Sequence, residues 1–298
     1  MRENERQWLT LDLLKTTEKY FRDKRIDESR LHAEILLAHV LGVSRIDLYL
    51  NHNRPVYGSE LEEFRSLCRE RLKGRPLQYI TGEQIFYGHP FTVDERVLIP
   101  RPETELVLEH AVERLTTVGD AVKEKNVTIL DIGTGSGCLA VTLALKLPEA
   151  HITAVDLSPG ALEIASHNAD RHGVSKKIRF LQADALNPGF PDDLGENYDL
   201  ILSNPPYIPE PEWEGLQPEV KEHEPKTALT TPDGFAFYHA ITASAAVLLR
   251  SRGILCFELH ADGARKVSEI VRARGFEGIE VYKDYAELDR VLSGVWSG

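Results

Sequence analysis

A β-branched run, Val127-Thr128-Ile129-Leu130-Asp131-Ile132, passes directly into Gly133-Thr134-Gly135-Ser136-Gly137, and Cys138 to Leu147 then reads as a helix ending before Pro148. Strand, glycine loop and helix in that order form the nucleotide-binding corner of a doubly wound sheet, where glycines let the backbone approach a ligand closely. An α/β fold is predicted. The next strand, His151 to Val155, ends in Asp156, and an acidic residue about 20 positions beyond the glycines suits the paired hydroxyls of a ribose. The ligand is then an adenosine-bearing cofactor. A helix over Pro159–Arg171 precedes a third strand, Ile178–Gln182, whose end carries Asp184 and Ala185 where the adenine amino group would lie.

Gly135-x-Gly137-x-x-Ala140 also satisfies the dinucleotide fingerprint, so the glycines alone leave a nicotinamide enzyme open. Two features favour S-adenosylmethionine, with S-adenosylhomocysteine as product. One is Asp131 inside the strand end, which suits the cofactor's sulfonium and amino charges or, alternatively, caps the following turn. The other is the stretch Leu200–Ile208, where an apolar strand, Tyr198 to Leu202, stops at Ser203-Asn204-Pro205-Pro206-Tyr207. Two prolines forbid further ladder pairing and fix the backbone, so the strand ends in a rigid elbow. The Asn204 side-chain oxygen and the Pro205 carbonyl make two adjacent acceptors, matched to a planar –NH2 group, and Tyr207 offers a flat face to the same plane. By itself such a word also serves as a strand-terminating turn. Downstream of the glycine loop it reads as the catalytic and substrate-binding element, with Asn204 also touching the cofactor. Because a planar amino group conjugated to a carbonyl or an aromatic ring is a poor nucleophile, catalysis there rests on positioning.

From Trp8 to Leu72 apolar residues recur at helical spacing, with breaks at 24–28, 42–44 and 51–58, which predicts a small all-α bundle over residues 1–75. Asp27, Ser29 and Ser59 are candidate helix starts and Gly42 a stop. His32, His39 and His52 read as packing or surface residues, so the bundle is expected to dock a macromolecular substrate. Residues 76–96 alternate around glycines as a β-hairpin linker, and 97–298 form the catalytic domain. Within it, Leu98-Ile99-Pro100-Arg101-Pro102-Glu103-Thr104-Glu105 is a stiff charged loop that either walls the site, through Arg101 and Glu103, or opens a helix with Pro102 in its first turn. The acidic, proline-rich stretch 209–225 suits a mobile loop over the substrate.

The chain of 298 residues has a net charge of −12, and the charge is uneven: residues 1–85 carry 15 basic and 14 acidic side chains, leaving 20 and 33 for the rest. That acidic balance argues against duplex DNA as a partner. Met1–Gln7 lacks the apolar stretch of a signal peptide, and no apolar run is long enough to span a bilayer. Cys68, Cys138 and Cys256 show no C-x-x-C spacing, which points to neither disulfides nor zinc and fits a reducing cytoplasm.

These residues resemble the protein-(glutamine-N5) methyltransferases of HemK/PrmC type that modify peptide chain release factors. The matching words are Pro-x-Gln-Tyr-Ile-x-Gly at 76–82, Leu-Ile-Pro-Arg-Pro-Glu-Thr-Glu at 98–105, Asp-Ile-Gly-Thr-Gly-Ser-Gly at 131–137, Ser-Asn-Pro-Pro-Tyr-Ile at 203–208, Glu-Pro at 224–225, Asp-Gly at 233–234 and Lys-Asp…Asp-Arg-Val at 283–291. The chain departs from the pattern after Glu258, with His260 and Gly263 where a glycine and then a glutamine are usual. The resemblance implies a seven-stranded, mostly parallel, Rossmann-like class I methyltransferase sheet behind the helical bundle. It also implies methylation of the glutamine in the release factor Gly-Gly-Gln motif, by a monomer needing no metal, nucleic acid or membrane. A different class, adenine-N6 DNA methylation, uses the same elbow on a flipped base but wants a basic target-recognition segment. In a third, the bundle only tethers a partner beside a vestigial cofactor site.

Overall fold

The computed structural model describes residues 7–118, 126–195 and 197–298, in two units that meet in sequence at Gly82 and Glu83. The stretch read for a signal peptide lies, apart from Gln7, outside the described residues.

In the first unit Trp8–Leu9 (β1) pairs antiparallel with Pro55–Val56 (β2), among helices Thr10–Asp23 (α1), Ser29–Leu41 (α2), Arg45–Leu50 (α3), Gly58–Leu72 (α4) and Leu77–Thr81 (α5). The helical spacing puts Phe21, Leu36, Leu37 and Phe64 into one core, none more than 1% exposed. Each such side chain contributes roughly 1.5–3 kcal/mol on burial. Gly42, at φ +64°, stops α2 as predicted, and Ser44 opens α3 in a reciprocal cap with Asp47. Asp27 opens no helix, because Glu28 precedes α2; Ser59 lies inside α4, whose entry is closed by Glu60 accepting from the Tyr57 N–H at 2.9 Å. Leu77–Thr81, expected as extended chain, is a helical turn stopped by Gly82 at φ +73°. Five residues are too few for a period of 2 to be told from one of 3.6.

The second unit begins with a hairpin, Glu83–Phe86 (β3) and His89–Thr92 (β4), closed by Tyr87 and Gly88, both at positive φ as a two-residue hairpin turn requires. Then follow Thr104–Thr117 (α6), Thr128–Ile132 (β5), Cys138–Lys146 (α7), His151–Asp156 (β6), Pro159–Arg171 (α8), Ile178–Gln182 (β7) and Tyr198–Ser203 (β8). Ile208–Pro209 (β9), Pro218–His223 (α9) and Thr230–Thr231 (β10) lead to Ala236–Leu248 (α10), Leu249–Glu258 (β11), Ala264–Ala273 (α11), Phe276–Lys283 (β12) and Asp289–Trp296 (β13). Seven strands form one sheet in the order β12-β13-β11-β8-β5-β6-β7, the last five parallel and β13 antiparallel to both of its neighbours, β11 and β12.

Alternate strand residues feed two cores, as a sheet buried on both faces demands. Ile129, Leu200, Leu202 and Ile254 pack with α6, α7 and α8, while Leu130, Ile201, Leu255 and Phe257 pack with α10 and α11. Because the chain leaves β5 toward β6 on one side and returns to β8 on the other, the sheet's switch point lies between β5 and β8. A crevice opens at the strand ends there. The stretch 209–225, expected as a loop, carries a 3-10 turn over Glu210–Gly215 and then α9. Among the described residues no helix is long and apolar enough to cross a membrane.

Candidate active site

The crevice is a cavity of about 380 Å³ at the carboxyl ends of β5, β6, β7 and β8. Its floor is the glycine loop. Gly133, Gly135 and Gly137 hold φ of +76°, +53° and +79°, which lets successive N–H groups turn toward neighbouring strands. Gly133 and Thr134 donate to the Val155 carbonyl at 2.8 and 2.9 Å, and Gly135 donates to Asp156 Oδ2 at 2.9 Å. The loop is thereby stapled to the end of β6. Gly133 to Ser136 line the cavity, whereas Gly137 lies behind them against α8, where an added Cβ would stand 3.0 Å from that of Ala165.

Asp156 lines the cavity, its other oxygen held by the Ser158 N–H at 2.9 Å, and burial raises its pKa. Asp184 accepts from the Leu186 N–H at 2.9 Å and lines the cavity with Ala185, facing Phe237 and Ile241 of α10. Asp131 is elsewhere: fully buried under the loop, it accepts from Thr134 Oγ1 at 2.7 Å and does not reach the cavity. Two carboxylates at the wall, apolar side chains between them and a close-approach loop fit an adenosyl cofactor, and the volume lies in the range of small-molecule sites, roughly 300–1,000 Å³. Among the described residues no cluster of three or more His, Cys, Asp or Glu side chains could hold a metal ion.

On the β8 side, Ser203 Oγ donates to the Ile132 carbonyl at 2.6 Å and locks the elbow to β5. Asn204, Pro205 and Pro206 line the cavity; the Asn204 carbonyl lies 3.9 Å from where a Gly133 Cβ would sit. The Asn204 Nδ2 donates to Thr104 Oγ1 at 3.2 Å, which leaves Oδ1 to accept. Tyr207 stands behind the elbow, outside the cavity lining, with its hydroxyl donating to Glu258 Oε1 at 3.2 Å and its pKa raised by burial.

The loop ahead of α6 closes the third side. Arg101 lines the cavity and pairs with buried Glu224 at 2.6 Å, and the Ile99 N–H reaches the same carboxylate at 3.4 Å. Glu103 is half-buried and not part of the lining. Sequence reasoning missed Thr104, Glu224 and Glu258. Thr104 sits inside a word already singled out; Glu258, at the end of an apolar run, carries the same local signal as Asp131 and Asp156.

Sequence profiles for a PrmC N-terminal domain and a methyltransferase domain match residues 12–82 and 123–283. The chain is 57% identical over 290 residues to the release factor glutamine methyltransferase of Chlorobaculum tepidum, covering 97% of this chain and 98% of that one. Its identity to the protein of the same name from Geobacter sulfurreducens is 39% over 296 residues, 99% of each chain. In solved structures, the hMettl16 catalytic domain, determined in complex with the MAT2A 3′UTR hairpin 6, shares the fold with a TM-score of 0.54 at 17% identity, over 82% of this chain and 84% of that one.

Proposed function

The chain belongs to the release factor glutamine methyltransferases, and from that premise we propose that it transfers a methyl group from S-adenosylmethionine to the side-chain nitrogen, N5, of the glutamine in the Gly-Gly-Gln motif of peptide chain release factors. The reaction belongs to translation termination in the cytoplasm. The bundle of residues 1–75 docks the factor, 76–96 link it to the catalytic domain 97–298, and the enzyme works as a monomer.

One observation supports this reading: Asn204 and Pro205 line the cavity beside the glycine loop just beyond the end of β8, and Asn204 Nδ2 is already engaged by Thr104, which leaves Asn204 Oδ1 and the Pro205 carbonyl to act as the two acceptors. They take the two N–H bonds of the substrate carboxamide and hold its nitrogen still, with the lone pair facing the cavity. Tyr207 backs the elbow with its ring. Gly133, Thr134, Gly135 and Ser136 carry the cofactor, Gly137 seats the loop against α8 instead of touching it, Asp156 takes its ribose, Asp184 and Ala185 its adenine, and Asp131 braces the loop from below. When bound, the cofactor supplies a methyl carbon on a positive sulfur, an electrophile strong enough for an amide. Arg101 and Glu103 border the path of the incoming loop. The methylated nitrogen releases one proton to solvent, and no metal takes part.

Incubating the protein with labelled S-adenosylmethionine and a release factor, then mapping the label by mass spectrometry, should find it on the Gly-Gly-Gln glutamine. Asn204→Ala should lower kcat by roughly 10²–10⁴-fold, a lost hydrogen bond of about 1–3 kcal/mol plus misorientation of similar size. Label on an adenine oligonucleotide and none on the factor would sink the reading.

A further inference from the structure

We propose that Thr104 and Glu258 are positioning residues of this site, a buried relay that decides which end of the Asn204 carboxamide faces the substrate amide. The substrate's identity rests on the reading above; the relay stands on its own geometry. A carboxamide is nearly symmetrical in shape, but one end accepts and the other donates. Turned over, Asn204 would meet the substrate –NH2 with a second –NH2. The elbow works only with the oxygen forward.

Thr104 has one hydroxyl hydrogen, and its Oγ1 lies 2.6 Å from Glu258 Oε2 and 3.2 Å from Asn204 Nδ2. An ionised carboxylate can only accept, so the hydroxyl donates to Glu258 and its oxygen takes the Asn204 N–H. That sends Oδ1 forward. Glu258 is 1% exposed, and its second oxygen accepts from Tyr207 Oη, so one carboxylate orients both functional side chains of the elbow. The Glu258 backbone carbonyl is held in turn by Tyr238 Oη at 2.8 Å.

The relay runs one way only while Glu258 is charged. Arg290 of β13, Glu103 ahead of α6, Tyr207 of the elbow, Tyr238 of α10 and Cys138 of α7 all act on it electrostatically, and Arg290 is itself paired with Asp284 at 3.0 Å. Burial dominates and pushes the carboxyl up to about 7. A proton there donates to Thr104, frees the threonine hydrogen to point at Asn204, and favours the inverted carboxamide. Turnover should therefore rise as the pH climbs through about 7.

In ¹⁵N-labelled protein without ligands, hydrogen exchange at Asn204 Nδ2 reads the relay directly. Thr104→Val removes the acceptor and should speed that exchange about tenfold and cut kcat by roughly 10–100-fold, with KM for S-adenosylmethionine within about twofold; Thr104→Ser should restore both. Glu258→Gln cannot ionise and should lose the acid limb of the kcat profile. Unchanged exchange and kcat in Thr104→Val, or an acid limb kept by Glu258→Gln, overturns the relay. If Thr104→Val does not fold, an acid limb kept by Thr104→Ser and lost by Glu258→Gln supports it. Exchange that responds as expected in a protein that never methylates glutamine supports the relay and sinks only the substrate reading.

Discussion

Asp131 and Asp156 stand on adjacent strands, yet only Asp156 meets the cavity. Asp131 braces the glycine loop from below, and full burial pushes its carboxyl up to about 7 from a usual 3.8, against the Thr134 hydrogen bond, which lowers it. Between those values the folded protein keeps a proton that the unfolded chain has lost. The stability this group contributes is thus complete below about pH 4 and is lost as the pH rises through 7. Asp131→Asn keeps an acceptor for Thr134 and cannot ionise. In urea unfolding it should gain about 2–3 kcal/mol on wild type between pH 5 and pH 8; parallel pH dependences would refute the assignment. Asn204 and Pro205 were legible in the sequence because their chemistry is contiguous in one word. The Thr104–Glu258 pair was not, since its members are 154 residues apart and no local pattern reports such a contact.

The elements were legible where they are long enough to show a period. β7 and α8 keep their expected bounds, and β5, β6, β8 and α7 differ from expectation by a residue at one end. What escaped is short: α5, and the parallel pair of β9 with β10, whose two residues each carry no periodicity at all. The acidic stretch before β10 reads as loop because prolines interrupt it, although Glu224 at its end is buried against Arg101. That ion pair ties 209–225 to the loop ahead of α6. Arg101→Met strands the Glu224 carboxylate with little more than the Ile99 N–H. A fully buried pair broken this way costs roughly 3–5 kcal/mol, and because Arg101 is one-third exposed the expected loss is about 2 kcal/mol. Hydrogen exchange over 218–228 should accelerate accordingly, and KM for the protein substrate should rise. Unaltered exchange there would show that the segment is held by other contacts.

At the scale of the whole molecule, the two units each close a core of their own, one around Phe21, Leu36 and Phe64, the other on both faces of the sheet. Every residue lining the cavity falls between Glu95 and Ile241, within the second unit. A ligand that binds the folded cavity and not the unfolded chain stabilises whatever unfolds along with that cavity, by RT ln(1 + [L]/Kd). At a hundredfold excess over Kd the gain is about 2.7 kcal/mol. Native-state hydrogen exchange with S-adenosylmethionine at that excess should raise protection by this amount across β5, β6 and α7, whose amides open only when the sheet does. Amides of α1, α2 and α4, which pack around a core of their own, should gain nothing. An equal gain in both units would mean that they unfold as a single cooperative block, and the separate cores would then be a feature of packing with no thermodynamic counterpart.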